Sequence, residues 1–343
     1  MFDKLKSIVG LGKENSAKKS ALKAQASDAE LQEVEEKEID ASPQTIEHSR
    51  ELSLSFISNL LGVRAVITEE STKQEELLRV ALEQELKNLN EESIPKLSKN
   101  ALLLMNALVD PDSPQEKIVT AIKEDPALAG KVISIANSPT FIGSDMEIKD
   151  LEHALSMLGQ QRLKDVVLSS LVADKFEIDS FYFEVFGKAL WGHSSEVANN
   201  AKKISEVIGG NSNLAYFVGL VHDIGKLIIF KKLIELHADG KQQPHPQVFS
   251  NLLADYSHAL TRRACEVWEL PEDWYTPILE FQMETQGDCR QPESVALFLA
   301  NAFAELNALY SEGEITEFEL VWRLQQAGST VDDYRKLYPE EEN

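Results

Sequence analysis

The stretch Gly219-Leu-Val-His-Asp-Ile-Gly-Lys226 sets two ionisable side chains, His222 and Asp223, inside an apolar helical run, with Gly225 and Lys226 close behind. A bare His-Asp pair carries little by itself, so its surroundings carry the argument. Adjacent residues on a helix point about 100° apart, and one metal ion takes both only where the helix edges a cleft. That ion then needs a His from one neighbouring helix and a carboxylate from another. Imidazole and carboxylate together suit Mn, Fe, Zn or Mg, and such an ion makes hydroxide near neutral pH. What the chain does therefore turns on which partners of His222 and Asp223 it supplies elsewhere.

His193, in Leu190-Trp-Gly-His-Ser-Ser195, is the natural first His, on a long preceding helix able to pack antiparallel to the one bearing the pair. The distal carboxylate is expected at Asn301, in Phe298-Leu-Ala-Asn-Ala-Phe303, but that residue is an amide. An amide oxygen binds metal weakly and brings no negative charge. Lys226, one turn after His222, shares its helix face and is either a phosphate contact or a salt-bridged lysine. His193, His222 and Asp223 have an alternative reading as a buried polar cluster that fixes helix packing. His258, ahead of Thr261-Arg-Arg263, reads as structural, and Trp268 and Trp274 read as packing residues.

Helical periodicity organises the chain, and no alternating strand or hairpin signal interrupts it. The fold class is all-α. Residues 1–12 place Phe2, Leu5, Ile8 and Val9 on one face, as a docking peptide, an interfacial helix or, given so short a segment, a frayed tail. The rest of 1–47 is a polar tether, basic and then acidic, unable to bury enough surface to order itself. Two accessory helices occupy 48–92, with Leu52, Phe56 and Leu60 on one stripe and Leu77, Leu78 and Leu82 on the other. The main domain spans 93–290, in lobes 93–175 and 176–290, and 291–343 adds further helices and an acidic tail. Ser113-Pro114 and Asp125-Pro126 signal helix starts. Long helices are expected over Asp179–Ile208 and Asn211–Leu236, then shorter ones at 247–256, 258–269, 271–282, 292–311 and 315–327.

A chain of 343 residues buries a sizeable core, and its net charge of −23 argues against nucleic acid, whose phosphates demand facing Lys and Arg. No window approaches the run of about 20 apolar residues that a membrane span needs, and no signal-peptide core opens the chain. The expected location is cytoplasmic. Two cysteines make no disulfide framework: Cys265 reads as a small buried apolar residue, and Cys289 stands in a polar loop.

The wider pattern resembles the HDOD domain, a bacterial, all-helical relative of the HD phosphohydrolases that is usually non-catalytic. The resemblance runs from Ser93 to Phe303. It is carried by Ile94-Pro-Lys-Leu97, Asp125-Pro-Ala-Leu128 with Lys131-Val132, Ile135-Ala-Asn-Ser138 and Ala154-Leu-Ser-Met-Leu-Gly159. Trp191-Gly-His-Ser194, Gly219-Leu-Val-His-Asp-Ile-Gly-Lys-Leu227, His258 and Trp268-Glu-Leu-Pro271 complete it. It implies an HD-like lobe with an additional amino-terminal helical lobe and a cleft between them as a ligand or partner site. Many relatives carry a His-His pair after the Trp-x-Leu-Pro segment; here Phe281-Gln282 stand there, and no GYP signature is present. The implied metal shell is thus reduced to His193, His222 and Asp223, with Asn301 a poor fourth. The expectation is a non-catalytic signal-transduction or scaffold module with no obligatory cofactor, at most a weak divalent metal, and an unidentified protein partner or nucleotide ligand. The competing expectation is a metal-dependent phosphohydrolase acting on a nucleotide or cyclic dinucleotide.

Overall fold

The computed structural model describes residues 52–59, 69–87, 94, 96–138, 147–173, 184–237, 246–281 and 289–339. The amino-terminal tether, the segment 1–12 and Gln282 lie outside them. Every regular element among the described residues is a helix, which gives the all-α fold that the periodicity implies.

The chain runs through a helical segment over 52–59 (α1), Glu69–Lys87 (α2), Lys99–Val109 (α3), Gln115–Lys123 (α4) and Pro126–Ala136 (α5). Next come Leu151–Ala173 (α6), kinked at Gly159, and Glu184–Ile208 (α7). Ser212–Val221 (α8), Ile224–His237 (α9), Pro246–Val267 (α10) and Glu272–Phe281 (α11) follow. Pro292–Ser311 (α12), Glu317–Gln326 (α13) and Val331–Leu337 (α14) close it. Local chemistry sets several starts. Asp125 accepts from Leu128 N at 3.0 Å, with Pro126 in the first turn, and Thr316 with Glu319 forms a capping box. Asn137 ends α5, and its amide pins that end to Ile148 by two hydrogen bonds of 2.8 Å.

α8 is the axis of the molecule. It is apolar on all sides, and such a helix must be buried all round. α7, α12, α6, α11 and α3 pack on it, and Asn213 to Val221 are all buried. α6 is tied in through polar contacts as well: Ser169 meets the Tyr216 hydroxyl of α8 at 2.8 Å, and Asp165 meets Lys202 of α7 at 2.7 Å. Two glycines set the tightest crossings. A Cβ on Gly219 would stand 2.5 Å from Ala198 Cα, and one on Gly225 would stand 1.9 Å from the Ser257 carbonyl oxygen.

Four expectations need correction. The run from 211 to 236 is two helices broken at His222-Asp223, and the cause is a contact from α10 described below. α10 is continuous where two helices were expected, because Leu252, Leu253, Leu260 and Ala264 bury one unbroken face and override the local cap preference of Ser257. The terminal segment is more than an acidic tail: α14 forms there and buries Val331 and Tyr334. Finally, Ser212–Leu233 is long and apolar enough by composition to cross a membrane, yet the whole of its apolar window is buried inside the protein. Smaller departures are Leu77, which is exposed while Leu82 is buried, and Cys289, which is buried. Cys265, Trp268 and Trp274 are buried.

The crossings make a prediction. Gly225→Ala and Gly219→Ala should each lose upwards of about 3 kcal/mol in urea denaturation, because helix backbones must part. Gly130→Ala in α5, where nothing stands within 4 Å of the added Cβ, should be neutral or gain up to about 1 kcal/mol.

Candidate metal centre

The break in the His-Asp segment begins with one hydroxyl. His222 N still bonds Val218 O at 2.9 Å, closing α8, and Lys226 N bonds Asp223 O at 2.9 Å, opening α9. Between them Gly225 N–H donates to Thr261 Oγ1 of α10 at 3.0 Å, and the same hydroxyl donates to His222 O at 3.0 Å. A buried threonine thus satisfies a donor and an acceptor that a continuous helix would have used internally. His222 and Asp223 lie in a turn, and both face α7 and α12.

His193 arrives from α7, Lys226 from the first turn of α9, and Asn301 and Glu305 from successive turns of α12. With His222 and Asp223, all six are buried. Asp223 Oδ2 lies 3.4 Å from His222 Nε2, 3.6 Å from His193 Nε2 and 2.7 Å from Lys226 Nζ. Asn301 Oδ1 stands 3.1 Å from Nε2 of both histidines. The structure therefore assembles His193, His222, Asp223 and Asn301 as the sequence suggested, and it places the Lys226 ammonium on Asp223.

The histidine roles follow from their neighbours. His222 Nδ1 is 2.8 Å from the Gly219 carbonyl, which can only accept, so Nδ1 carries the proton and Nε2 turns a lone pair inward. His193 Nε2–H is the donor that Asn301 Oδ1 and Asp223 Oδ2 can share. Burial pushes the His193 pKa down to about 3 and lowers that of His222, with Asp223 only partly offsetting. Burial alone would raise the Asp223 pKa, but His222, Lys226 and His193 outweigh it and hold the carboxyl below its usual range. Because both imidazoles are neutral near pH 7, Lys226 supplies the standing positive charge.

Glu305 is a member of this cluster that sequence reasoning missed. It sits four residues beyond Asn301, within an otherwise apolar face, and a lone carboxylate in such a run was the available signal. Burial raises its pKa to about 7, with Asp223 adding to the rise while Lys226 and hydrogen bonds from Ser53 and Asn301 oppose it. Phe281 sets its ring edge-on to His222 with centroids 5.9 Å apart. His258 has its ring 6.4 Å from Phe281, and burial pushes its pKa down to about 4, with Lys226 and His222 adding to the fall and Asp223 opposing it. A groove is lined by Leu103, Val109, Lys117, Asn211 and Trp274, none of them a member of the centre.

The donor set can be tested against a metal ion. Ligands about 2.1 Å from an ion lie roughly 3.0–3.4 Å from each other, and three of the four separations above, at 3.1, 3.1 and 3.4 Å, fall in that range, with the fourth at 3.6 Å. His193, His222 and Asp223 each offer an atom to one point, all within 4.8 Å of one another. The spacing fits, and these residues with Asn301 would hold a divalent ion, which would supply Lewis acidity and a water of lowered pKa. The charge fits less well, since Asp223 is already matched by Lys226 and burial keeps Glu305 partly protonated.

Residues 94–283 match the HDOD domain family. Over 82 residues the chain is 35% identical to ribonuclease Y of Wolinella succinogenes, a match covering 22% of this chain and 16% of that protein. Two solved structures are similar in fold. One is a candidate metal-dependent phosphohydrolase from Shewanella amazonensis, at 20% identity and TM-score 0.53, covering 77% of this chain and 98% of that one. The other is an HDOD domain protein of unknown function from Geobacter sulfurreducens, also at 20% identity and TM-score 0.53, covering 75% and 91%.

Two outcomes are expected. Thr261→Val keeps the shape but strands Gly225 N–H and His222 C=O, and should lose about 2–3 kcal/mol in urea denaturation, most of it recovered in Thr261→Ser. Native Glu305 keeps its proton up to about 7, whereas the unfolded residue releases it near 4.5. The native state thus binds more protons across that window, so Glu305 costs stability as pH rises through it. With metal chelated, Glu305→Gln should melt several degrees above the parent at pH 8, with a gain on the order of 2 kcal/mol. That gap should close towards pH 4.5.

Proposed function

The chain belongs to the HDOD domain family, and from that membership we propose that it is a non-catalytic signalling or scaffold module of the cytoplasm. It would work by binding a protein partner or a small ligand such as a nucleotide. The observation that carries this reading is the Lys226–Asp223 contact of 2.7 Å beside an amide at Asn301. A hydrolytic centre draws its ion with uncompensated carboxylates, whereas here the ammonium neutralises Asp223, an amide stands at the distal position, and burial holds the nearby Glu305 partly protonated. A divalent ion would add two positive charges to a buried, already balanced cluster, which supports weak binding at most.

The second reading is a metal-dependent phosphohydrolase acting on a nucleotide or cyclic dinucleotide. Its support is the 3.1–3.6 Å spacing of the four donors and the fold shared with a protein described as a candidate metal-dependent phosphohydrolase.

Metal analysis of the purified chain, with hydrolysis assays in Mn²⁺ on bis(p-nitrophenyl) phosphate, a cyclic dinucleotide and an RNA oligonucleotide, separates the two. The module reading expects well under one metal per chain and no turnover that Asp223→Ala removes. Stoichiometric metal, together with turnover lost at least a hundredfold in a folded Asp223→Ala variant, would establish the hydrolase instead.

A further inference from the structure

α1 lies outside the residues matched to the family, yet it sits directly on the centre. Phe56, 2% exposed, stacks its ring at a tilt on the His193 imidazole with centroids 4.4 Å apart. One turn earlier Ser53 Oγ–H donates to Glu305, 3.0 Å from Oε1 and 3.4 Å from Oε2. Leu52 and Ile57 are buried with them, and Ser58 Oγ meets Ser250 Oγ of α10 at 3.1 Å. α1 therefore covers the His193 and Glu305 side of the cluster and bridges α7, α12 and α10.

We propose that α1 is a displaceable plug, an intramolecular lid whose departure opens the His-Asp centre to water, small anions and divalent cations. Three features support displacement over permanent packing. The eight helical residues of 52–59 would not hold a helix by themselves in water, so once released they are an ordinary unfolded segment. Its polar ties include single hydroxyl contacts through Ser53 and Ser58, bonds that water replaces when the helix leaves. The surface beneath it carries polar groups beside apolar ones: an imidazole under Phe56 and a carboxyl under Ser53 are groups that water solvates on opening, which offsets part of the cost of exposing Leu52, Phe56 and Ile57. The device would let whatever engages the amino-terminal segment control access to the centre, whether the centre signals or hydrolyses.

The test uses the full chain, with Phe56→Asp, which sets a charge against the site, and the milder Phe56→Ala. Histidine modification by diethyl pyrocarbonate is followed by peptide mass spectrometry alongside amide hydrogen exchange. The expected result is His193 modified at least tenfold faster in the variants than in the parent. The amides of 52–59 should exchange freely, while those of α7 and α8 stay as protected as in the parent. Slow His193 modification in a variant whose α1 amides exchange freely would overturn the proposal, since another element would then make the seal. Loss of α7 and α8 protection in both variants would also overturn it by making α1 part of the core, as would rapid His193 modification in the parent.

Discussion

At Gly225 the backbone of α9 comes so close to α10 that a side chain would strike the Ser257 carbonyl, and Thr261 seals the crossing with a hydroxyl that both accepts and donates. This contact breaks what would otherwise be a single apolar helix. The break lets His222 and Asp223 face the same side, towards His193 on α7 and Asn301 on α12. In an uninterrupted helix the two would diverge by about 100°. The centre is thus a product of helix packing, and its geometry is fixed by a residue that meets only the backbone of His222 and Gly225.

Burying so many polar groups is costly unless each is matched. The match is close but not complete. Lys226 pairs with Asp223, the Gly219 carbonyl fixes the His222 tautomer, and Asn301 Oδ1 accepts from His193 Nε2–H, while the His222 Nε2 lone pair faces that same oxygen with no proton between them. Glu305, whose pKa burial lifts to about 7, takes a hydrogen bond from Ser53. Neutral imidazoles, one balanced ion pair and an amide make a cluster that persists in a dry interior. The same balance weakens its pull on a divalent cation, although the spacing of its donors would suit one.

Much of this was legible in the chain itself. Periodicity, together with Asp125-Pro126 as a helix start, marks the elements, because caps and apolar faces are local properties, while Ser113 makes no cap ahead of Pro114. His193 and Asn301 could be named as partners because polar residues in buried helical runs stand out. Other features were hidden. Glu305 is marked in the sequence only by its place in an apolar run, a sign that gains weight once its helix is seen to be buried on nearly every side. Ser53 and Phe56 carry no sign of their partners, which lie more than a hundred positions away. The helix break could not be read from Ile224-Gly225, since Gly is tolerated inside helices and the deciding hydroxyl belongs to α10.

The sequence by itself determined an all-helical chain, the HDOD pattern, and a reduced set of metal-capable residues with an amide where a carboxylate was expected. These follow from side-chain chemistry and from spacing along one helix. Only the tertiary structure decided that Lys226 spends its charge on Asp223, that Glu305 joins the cluster, and that α1 lies over it. The last two depend on distances between helices far apart in the chain, the first on the turn that sets Asp223 against a lysine three residues on, and all on burial, which sets the cost of each charge once water is removed.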